Sequence, residues 1–328
     1  MSPGQRPTLL LGARVPERFR AQLAERFEVL GPVPPPFAES VSAMPADELR
    51  RVRILVTMGT VKTPGAALAL LPSLGLVSCV GSGFEGVDLA TARERRVVVT
   101  HSPSANASAV ADVAMGLVIV SVRRMFEASA FLRRGEWKGN FAKRMPLTRG
   151  LTGRKCGIYG LGDIGERIAR RAAAAEMEIG YHNRHRRTDV GYRYFGGLHE
   201  LAEWSDVLVV AVRASADNRH AVDESVLAAL GPEGHVINIA RGSVIDEAAL
   251  VRALQQGIIA GAGLDVFEHE PAVPDELLAL PNVVLTPHIS GGTVEAQAAM
   301  QDMVCSNVEA FVAGAPVPTP VPGTPASY

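Results

Sequence analysis

The 328-residue sequence predicts an α/β protein made of two doubly wound domains, each built on a parallel sheet. Three observations support this fold class. Short apolar runs alternate with helical patterns over residues 1–100, the same alternation returns over 151–287, and a G-x-G-x-x-G motif lies in the middle of the chain. Strands separated by helices form right-handed βαβ units, and such units build parallel sheets.

The first series of elements occupies residues 1–100. Its apolar runs have the length of strands, and the segments between them have the apolar spacing of helices. The predicted strands are Thr8–Leu11, Arg53–Thr57, Leu76–Val80 and Val97–Val99, and the predicted helices are Pro16–Arg26, Gly65–Leu71 and Thr91–Arg95.

The second series predicts a separate domain over residues 101–287. A last helix, Gln297–Val312, returns to the first domain, which is therefore discontinuous (1–100 and 288–328). The predicted strands are Lys155–Tyr159, Met177–Tyr181, Val207–Val212, His235–Ile239, Gly261–Asp265 and Val283–Leu285, with helices such as Asp246–Gln255 between most of them. Because ligands bind outside the carboxyl ends of parallel strands, we expect an active-site cleft between the two domains.

A long apolar segment, Ala109–Val122, predicts a buried helix. It is shorter than the roughly 20 residues that cross a bilayer as a helix, so we expect no membrane association. Ser104 or Asn106 is expected to cap its start. A helix that is apolar almost all round is buried on several sides, and a subunit interface is the explanation that we favour.

The composition excludes several classes of protein. Charged residues make up 20% of the chain, and 33 Lys+Arg against 34 Asp+Glu give a net charge of −1, so neither disorder nor nucleic-acid binding is indicated. The three cysteines, Cys79, Cys156 and Cys305, are odd in number and widely spaced, which predicts neither a disulfide framework nor a metal site. The amino terminus has no signal-peptide pattern, and we expect a cytoplasmic protein.

The mid-chain motif follows an apolar strand and opens into a helical pattern, which is the context in which it indicates dinucleotide binding. Gly160 permits the tight turn, Gly162 lets the backbone approach a pyrophosphate, and Gly165 lets the helix pack closely on the strand. The free N–H groups at the start of the helix then receive phosphates. The motif therefore predicts that the second domain is a dinucleotide-binding Rossmann domain, and we expect both domains to be doubly wound (Rossmann-like/flavodoxin-like). A plain glycine turn is the alternative for the motif alone.

Three ionisable residues follow three strands of the second series: Arg241, Glu270 and His288. An arginine suits a bidentate grip on a carboxylate. A histidine suits general acid–base chemistry, and a nearby carboxylate favours its charged form. Taken singly, each of the three residues is better explained as a surface charge or an ordinary loop residue.

Together with the loop Gly81–Asp88, these motifs occur in an order that resembles the D-isomer-specific 2-hydroxyacid dehydrogenases, in the glyoxylate/hydroxypyruvate reductase branch. The similarity runs to about residue 312. The resemblance implies that Arg241, Glu270 and His288 are the catalytic residues. His288 would donate a proton to the ketone oxygen, Glu270 would hold His288 protonated and oriented, and Arg241 would bind the substrate carboxylate.

The same resemblance implies further contacts. The expected substrate-binding residues are Met58, Val80, Gly81, Ser82 and Gly83, besides Arg241 and His288. The expected coenzyme-binding residues are Gly160, Leu161, Gly162, Asp163, Ile164, Val212, Ala240, Asp265 and Gly291. A homodimer is implied through the helix region 106–132, with Trp137 reaching the active site of the partner.

The turn after the second strand of the dinucleotide fold indicates which nicotinamide coenzyme is preferred. No acid ends the strand Met177–Tyr181, where an Asp or Glu would bind the adenosine ribose. Instead Asn183 and Arg184 follow, and Arg186 or Arg187 is available to help bind a 2′-phosphate. We expect NADP(H) to be preferred over NAD(H). The alternative is a solvated basic turn with NAD used anyway.

One residue departs from the family pattern: Arg213 stands where many relatives have a proline. The segment Met58–Thr60 is small and uncharged, which argues against a phosphorylated substrate. The expected activity is NADPH-dependent reduction of a small 2-oxo acid, of the glyoxylate or hydroxypyruvate type, to the D-2-hydroxy acid. Two alternatives stay open: reduction of a bulkier aromatic or sugar-derived 2-oxo acid, and a nucleotide-sensing binding protein on the same fold.

Overall fold

A computed structural model describes residues 6–138 and 146–327 of the chain. The chain forms two compact units. The first contains the chain up to Asn106 and again from Thr293, and the second is Ala107–Gly292. The boundaries expected from the sequence, after residue 100 and before residue 288, differ from these by a few residues: 101–106 lie in the first unit and 288–292 in the second.

The first unit contains a five-stranded parallel sheet in the order β2-β1-β3-β4-β5. Every residue of β1 and β4 is buried, as expected for a parallel sheet that helices cover on both faces. The strands are β1 (Thr8–Leu11), β2 (Glu28–Leu30), β3 (Val52–Met58), β4 (Leu76–Val80) and β5 (Val98–Thr100). The helices between them are α1 (Glu17–Ala24), α2 (Phe37–Ser42), α3 (Ala46–Arg51), α4 (Gly65–Ala69) and α5 (Leu89–Glu94).

The second unit contains a seven-stranded parallel sheet in the order β12-β11-β10-β9-β6-β7-β8. The strands are β6 (Lys155–Tyr159), β7 (Glu178–His182), β8 (Arg193–Tyr194), β9 (Val207–Val210), β10 (His235–Asn238), β11 (Gly261–Leu264) and β12 (Val283–Leu285). The helices are α6 (Ala107–Val122), α7 (Met125–Arg133), α8 (Asp163–Ala174), α9 (Leu198–Trp204), α10 (Glu224–Leu230), α11 (Glu247–Gln255) and α12 (Asp275–Leu278). The final helix, α13 (Val294–Val312), belongs to the first unit and packs on β4.

The strand order of the second unit reverses at β6. This strand pairs with β7 on one side and with β9 on the other, so the chain winds outward from it in both directions. Such a switch point leaves a crevice at the carboxyl ends of the two central strands, where α/β proteins bind nucleotides. The two parallel α/β sheets confirm the predicted fold class.

The predicted apolar helix is present as α6, but the helix region 106–132 is not continuous. Arg124 has a left-handed backbone (φ +49°), which separates α6 from α7. Asn106 does not act as the predicted cap: its buried Oδ1 has no hydrogen-bond partner in the described part of the chain. Packing of α6 against α8, β10 and β11 accounts for the burial of most of its circumference.

α7 differs from α6 because none of its residues is buried. Met125, Phe126 and Leu132 are each about half exposed or more, at 49%, 58% and 56%. None of the helices in the described ranges is long and apolar enough to span a membrane.

The thiols behave as structural side chains. Cys79 and Cys156 are buried, and burial raises the pKa of each to about 12. Cys305 is partly buried, and burial raises the pKa of its thiol as well. Because a thiolate is the reactive form of cysteine, burial makes these thiols poor nucleophiles at neutral pH.

Candidate active site

The predicted coenzyme and catalytic residues of the second unit lie along one edge of its sheet. Because all seven strands are parallel, the segments that follow them leave from the same edge. The key residues, in the order of the strands that they follow, are Gly160 (β6), Asn183 (β7), Val212 (β9), Arg241 (β10), Asp265 (β11) and His288 (β12).

The glycine turn has the geometry that dinucleotide binding requires. Gly160 has φ +102°, and a Cβ on it would lie 2.5 Å from the backbone of Val212, so only glycine fits between β6 and the end of β9. A Cβ on Gly165 would lie 2.1 Å from the Gly160 carbonyl oxygen, which shows how closely α8 packs on the turn. Gly162 faces open space, with no atom within 4 Å of the position of a Cβ.

The start of α8 fits a phosphate group. Gly162 is the N-cap residue and provides no side-chain cap, so the first N–H groups of the helix are not satisfied by a cap. Asp163 and Ile164 are the first two helical residues, and Leu161 precedes them and is buried. A helix start that glycine leaves open in this way is an anion-binding site, and these residues fit a dinucleotide pyrophosphate.

The basic turn after β7 presents two arginines to solvent. Arg184 and Arg186 are exposed and form no hydrogen bond or ion pair within the part of the chain that the structure describes. Arg187 is different, because it forms ion pairs with Glu166 (2.9 Å) and with Asp189. Of the two residues expected to help Arg184 bind a 2′-phosphate, Arg186 is therefore the better candidate.

Asn183 has a structural role that the sequence does not reveal. Its side-chain Oδ1 accepts a hydrogen bond from the backbone N–H of Leu161 (2.6 Å), and its Nδ2 donates to the carbonyl of the same residue (3.4 Å). Asn183 thereby joins the basic turn to the glycine turn.

Arg213, which departs from the family pattern, is exposed beyond β9. Its carbonyl accepts a hydrogen bond from Asn218 Nδ2 (2.8 Å), and Asn218 also forms a capping box with Ser215. The segment that begins at Val212 is therefore held by side-chain hydrogen bonds.

His288 and Glu270 form a hydrogen-bonded pair. The Nδ1 atom of His288 lies 2.7 Å from Glu270 Oε2, and each side chain is about one-third exposed. Because a carboxylate only accepts hydrogen bonds, Nδ1 carries the hydrogen and Nε2 is the atom left to face a ligand. The other oxygen of Glu270 accepts from the backbone N–H of Phe267 (3.1 Å), which fixes the carboxylate.

Asp265 organises the loop that carries His288. It is fully buried, and its Oδ1 accepts from the Thr286 hydroxyl (2.6 Å) and the Ile289 N–H (2.9 Å). Its Oδ2 accepts from Ser290 N–H (3.0 Å). His288 itself has a left-handed backbone (φ +52°) and donates its N–H to the Asp265 carbonyl (2.8 Å). Both carboxylate oxygens of Asp265 thus hold the backbone around the histidine, and Gly291 follows directly.

Arg241 leaves β10 on a turn that Asn238 stabilises. Asn238 is buried, its Oδ1 accepts from the Ala240 N–H (3.0 Å), and its Nδ2 donates to the Arg241 carbonyl (3.0 Å). A Cβ on Gly242 would lie 1.9 Å from the carbonyl carbon of Phe267. The turn that carries Arg241 is therefore in backbone contact with the segment that leads to Glu270.

A second acid in this region, Glu268, was not predicted to have a role. It accepts hydrogen bonds from His220 Nε2 (2.8 Å) and Arg219 (2.5 Å), and its own N–H donates to Glu247 (3.2 Å). Burial opposes ionisation, but these partners outweigh it and hold the pKa of Glu268 below its usual value. Glu268 is remote in sequence from Arg219 and His220, so no sequence motif predicts these contacts.

In the first unit, the predicted substrate loop is held tightly. Gly81 has φ +104°, and its carbonyl accepts from Ser102 N–H (2.7 Å). The Ser82 carbonyl lies 2.9 Å from Nδ1 of the buried His101. A Cβ on Gly59 would lie 1.8 Å from the Gly83 carbonyl oxygen, so the loop after β3 and the loop after β4 are in backbone contact.

The two strands that precede these loops end in the remaining predicted substrate residues. Met58 is the last residue of β3 and is partly exposed, whereas Val80 is the last residue of β4 and is buried. The two residues are register partners in the sheet. The sheet therefore brings Met58 and Val80 side by side at its carboxyl edge.

Comparisons with known proteins identify the family to which the chain belongs. The family described as D-isomer specific 2-hydroxyacid dehydrogenase, NAD binding domain, matches residues 115–290. Hydroxyphenylpyruvate reductase of Plectranthus scutellarioides is 40% identical over 301 residues, which cover 92% of this chain and 94% of that protein. A glyoxylate/hydroxypyruvate reductase of Arabidopsis thaliana is 42% identical over 271 residues, covering 82% and 85%.

Among solved structures, the NADPH-dependent glyoxylate/hydroxypyruvate reductase of Sinorhizobium meliloti, in complex with NADP and malonate, superposes with a TM-score of 0.90 at 40% identity. The match covers 99% of both chains. This protein therefore belongs to the D-isomer-specific 2-hydroxyacid dehydrogenases, in the glyoxylate/hydroxypyruvate reductase branch, and is an oxidoreductase with an NAD(P)-binding domain.

Proposed function

We propose that this enzyme uses NADPH to reduce a small 2-oxo acid, of the glyoxylate or hydroxypyruvate type, to the D-2-hydroxy acid. The observation that carries the proposal is the His288–Glu270 pair, whose 2.7 Å contact leaves the Nε2 atom of His288 available to a substrate. A histidine that is hydrogen-bonded to a carboxylate, and that lies on the edge where the glycine turn lies, suits proton donation beside a bound dinucleotide.

In this mechanism Arg241 binds the substrate carboxylate, and His288 Nε2 donates a proton to the ketone oxygen. The bound nicotinamide coenzyme supplies the hydride that reduces the carbonyl carbon. Glu270 stabilises the protonated imidazole before the transfer, and the Asp265 carboxylate keeps the His288 loop in place. The neutral histidine then takes a proton from solvent. General acid catalysis of this kind contributes about 10²–10⁴-fold to the rate.

The coenzyme preference is proposed from the charges of the basic turn. Arg184 and Arg186 are exposed and form no hydrogen bond or ion pair with the described residues. No acid occupies the end of β7, where it would repel a 2′-phosphate. One charge-assisted hydrogen bond contributes about 1.5–3 kcal/mol, which corresponds to a preference of about 10–100-fold for NADPH. The NADPH-dependent relative from Sinorhizobium meliloti supports this assignment.

For the substrate, we propose that the loop Gly81–Gly83 binds the carboxylate through backbone N–H groups, with Met58 and Val80 beside it. A bulkier aromatic 2-oxo acid is the second candidate, because a relative with 40% identity is named hydroxyphenylpyruvate reductase.

A substrate panel tests these assignments. Glyoxylate, hydroxypyruvate, hydroxyphenylpyruvate and 2-ketogluconate are compared at saturating NADPH and at saturating NADH, with coenzyme absorbance as the readout. We expect the highest kcat/KM for the two small acids with NADPH. A higher kcat/KM for the aromatic acid would establish the second candidate, and binding of NADPH without turnover of any 2-oxo acid would favour a nucleotide-sensing protein.

The homodimer is also a proposal. The exposed apolar residues of α7 suit a subunit interface, and Trp137, which follows α7 and is 61% exposed, would then be available to a partner. The residues after Lys138, up to 145, lie outside the described part of the chain.

A further inference from the structure

The three arginines that follow β7 are not equivalent. Arg184 and Arg186 point to solvent, but the side chain of Arg187 is only 25% exposed and lies between two carboxylates. Its NH1 donates to Glu166 Oε2 (2.9 Å), its Nε donates to Asp189 Oδ1 (2.9 Å), and its NH2 donates to the other oxygen of Asp189. Arg187 thus directs its guanidinium group at these two carboxylates, whereas Arg184 and Arg186 form no such bonds among the described residues.

Arg187 also contacts the glycine turn. Its NH1 donates to the carbonyl of Leu161 (3.3 Å), which is the carbonyl that Asn183 Nδ2 contacts. Its backbone is held as well, because the buried Tyr181 hydroxyl accepts from the Arg187 N–H (2.9 Å) and donates to the Arg187 carbonyl (3.1 Å). The basic turn is thus tied to the glycine turn at its first residue, Asn183, and again at Arg187.

The acid that anchors this contact is on the coenzyme-binding helix. Glu166 lies in the first turn of α8, close after Gly162, and its side chain is 23% exposed. Hydrogen bonds from Arg170 and from Arg187 hold the pKa of Glu166 below its usual value, so it is a carboxylate at neutral pH. Arg170 reaches it from the outer face of the helix, with a side chain that is 65% exposed.

We propose that Arg187 is a positioning residue for coenzyme discrimination: it locks the basic turn to Glu166 and Leu161, and thereby holds Arg184 and Arg186 where they can bind a 2′-phosphate. The inference rests on the proposed preference for NADPH. The three arginines lie close together in the sequence but have different tasks. Arg184 and Arg186 contact the phosphate, and Arg187 aligns them.

Binding of coenzyme fragments tests the proposal without turnover. The dissociation constants of 2′,5′-ADP and 5′-AMP are measured by isothermal titration calorimetry for the wild type and for Arg187→Ala, Glu166→Ala and Arg170→Ala. The measured quantity is the preference for 2′,5′-ADP over 5′-AMP. We expect Arg187→Ala and Glu166→Ala each to lower it by about tenfold, the size expected for loss of a charge-assisted hydrogen bond. Arg170→Ala is the matched control and leaves it unchanged.

Glu166→Ala separates positioning from a simple electrostatic field. Removing a negative charge near the site should strengthen phosphate binding if charge alone matters, whereas the positioning role predicts weaker binding. An unchanged or raised preference in Glu166→Ala overturns the proposal, as does an unchanged preference in Arg187→Ala. A wild type that binds both fragments equally would instead refute the NADPH preference on which the inference rests.

Discussion

At the scale of single residues, the site depends on side chains that hold other side chains. Glu270 fixes the tautomer of His288, and Asn238 shapes the turn that carries Arg241. Asp265 holds the Thr286 hydroxyl before His288 and two backbone N–H groups after it. Each of these groups satisfies a hydrogen-bond requirement that would otherwise be costly in a partly buried site. The proposed catalytic residues are therefore preorganised before any ligand binds.

The charge of Glu270 is predicted to matter as well as its hydrogen bond. Glu270→Gln keeps an acceptor near His288 Nδ1 but removes the carboxylate that stabilises the imidazolium form. We expect kcat for reduction to fall at least about tenfold, with little change in the dissociation constant of NADPH measured by fluorescence. A variant with wild-type kcat would contradict the role of the ion pair.

Arg241 is predicted to require its planar fork. Lysine at this position keeps the positive charge but cannot bind a carboxylate in a bidentate way. We expect Arg241→Lys to lower kcat/KM for the 2-oxo acid by about 10–100-fold. Steady-state kinetics measure this effect, and unchanged kcat and KM would remove Arg241 from the substrate site.

At the scale of elements, two glycines of the same motif are predicted to fail in different ways. Gly162 faces open space, so Gly162→Ala should lower the thermal unfolding temperature only slightly, through the poorer N-cap, while it obstructs the approach of the pyrophosphate. Gly165→Ala places a methyl group 2.1 Å from a backbone oxygen, and it should lower the unfolding temperature. Thermal melts and NADPH titrations compare the two variants. Equal loss of stability in both would contradict the assigned roles.

The contact between α6 and β10 predicts a pH dependence of stability. Ser121 Oγ on α6 lies 2.9 Å from Nδ1 of His235 at the start of β10. Burial, and then the positive charge of Arg154, lower the pKa of His235 from 6.5 to about 4. His235 binds a proton more tightly in the unfolded chain than in the folded one. The contribution of the neutral, buried His235 to the free energy of unfolding is therefore complete above pH 6.5 and is lost as the pH falls towards 4.

We expect protonation of His235 to lower the free energy of unfolding by about 2 kcal/mol between about pH 7.5 and about pH 5. Urea denaturation of the wild type, His235→Gln and the exposed-site control His199→Gln measures it. His235→Gln should lose less stability on acidification than the other two proteins. Equal pH dependence in all three would show that His235 is not the group responsible.

At the scale of the whole molecule, much of the architecture follows from sequence patterns. The runs Thr8–Leu11, Leu76–Val80 and Lys155–Tyr159 are strands with the predicted bounds, because a fully buried parallel strand is a continuous apolar run between turns. The edge strands β2 and β8 were not predicted, since they are short and only partly buried or exposed, and carry no such run.

The candidate site was predictable in its residue types but not in its contacts. Arg241 and His288 each follow a predicted strand. Because parallel strands end at the same edge of a sheet, the sequence was enough to predict that both residues lie at that edge. The engagement of Arg187 with Glu166, and of Glu268 with His220, depends on side-chain directions across segments that are remote in sequence. The sequence therefore could not distinguish the ion-paired Arg187 from the exposed Arg184 and Arg186, and the three-dimensional structure was needed.

The proposed assembly gives a prediction for the whole molecule. Phe126 on α7 and Leu278 on α12 are similarly exposed, at 58% and 60%. If α7 lies in a dimer interface, Phe126→Glu should convert a dimer to a monomer in sedimentation velocity experiments, because it buries a charge in an apolar contact. Leu278→Glu should remain dimeric. A wild-type monomer would refute the proposed homodimer.

The most direct test of the account is a single-turnover experiment on His288→Ala. Enzyme with bound NADPH is mixed with the best 2-oxo acid of the panel, and coenzyme oxidation is followed by stopped-flow absorbance. Because His288 is the proposed proton donor, we expect the rate to fall by about 10²–10⁴-fold while the dissociation constant of NADPH stays close to that of the wild type. A rate close to that of the wild type would contradict general acid catalysis by the His288–Glu270 pair.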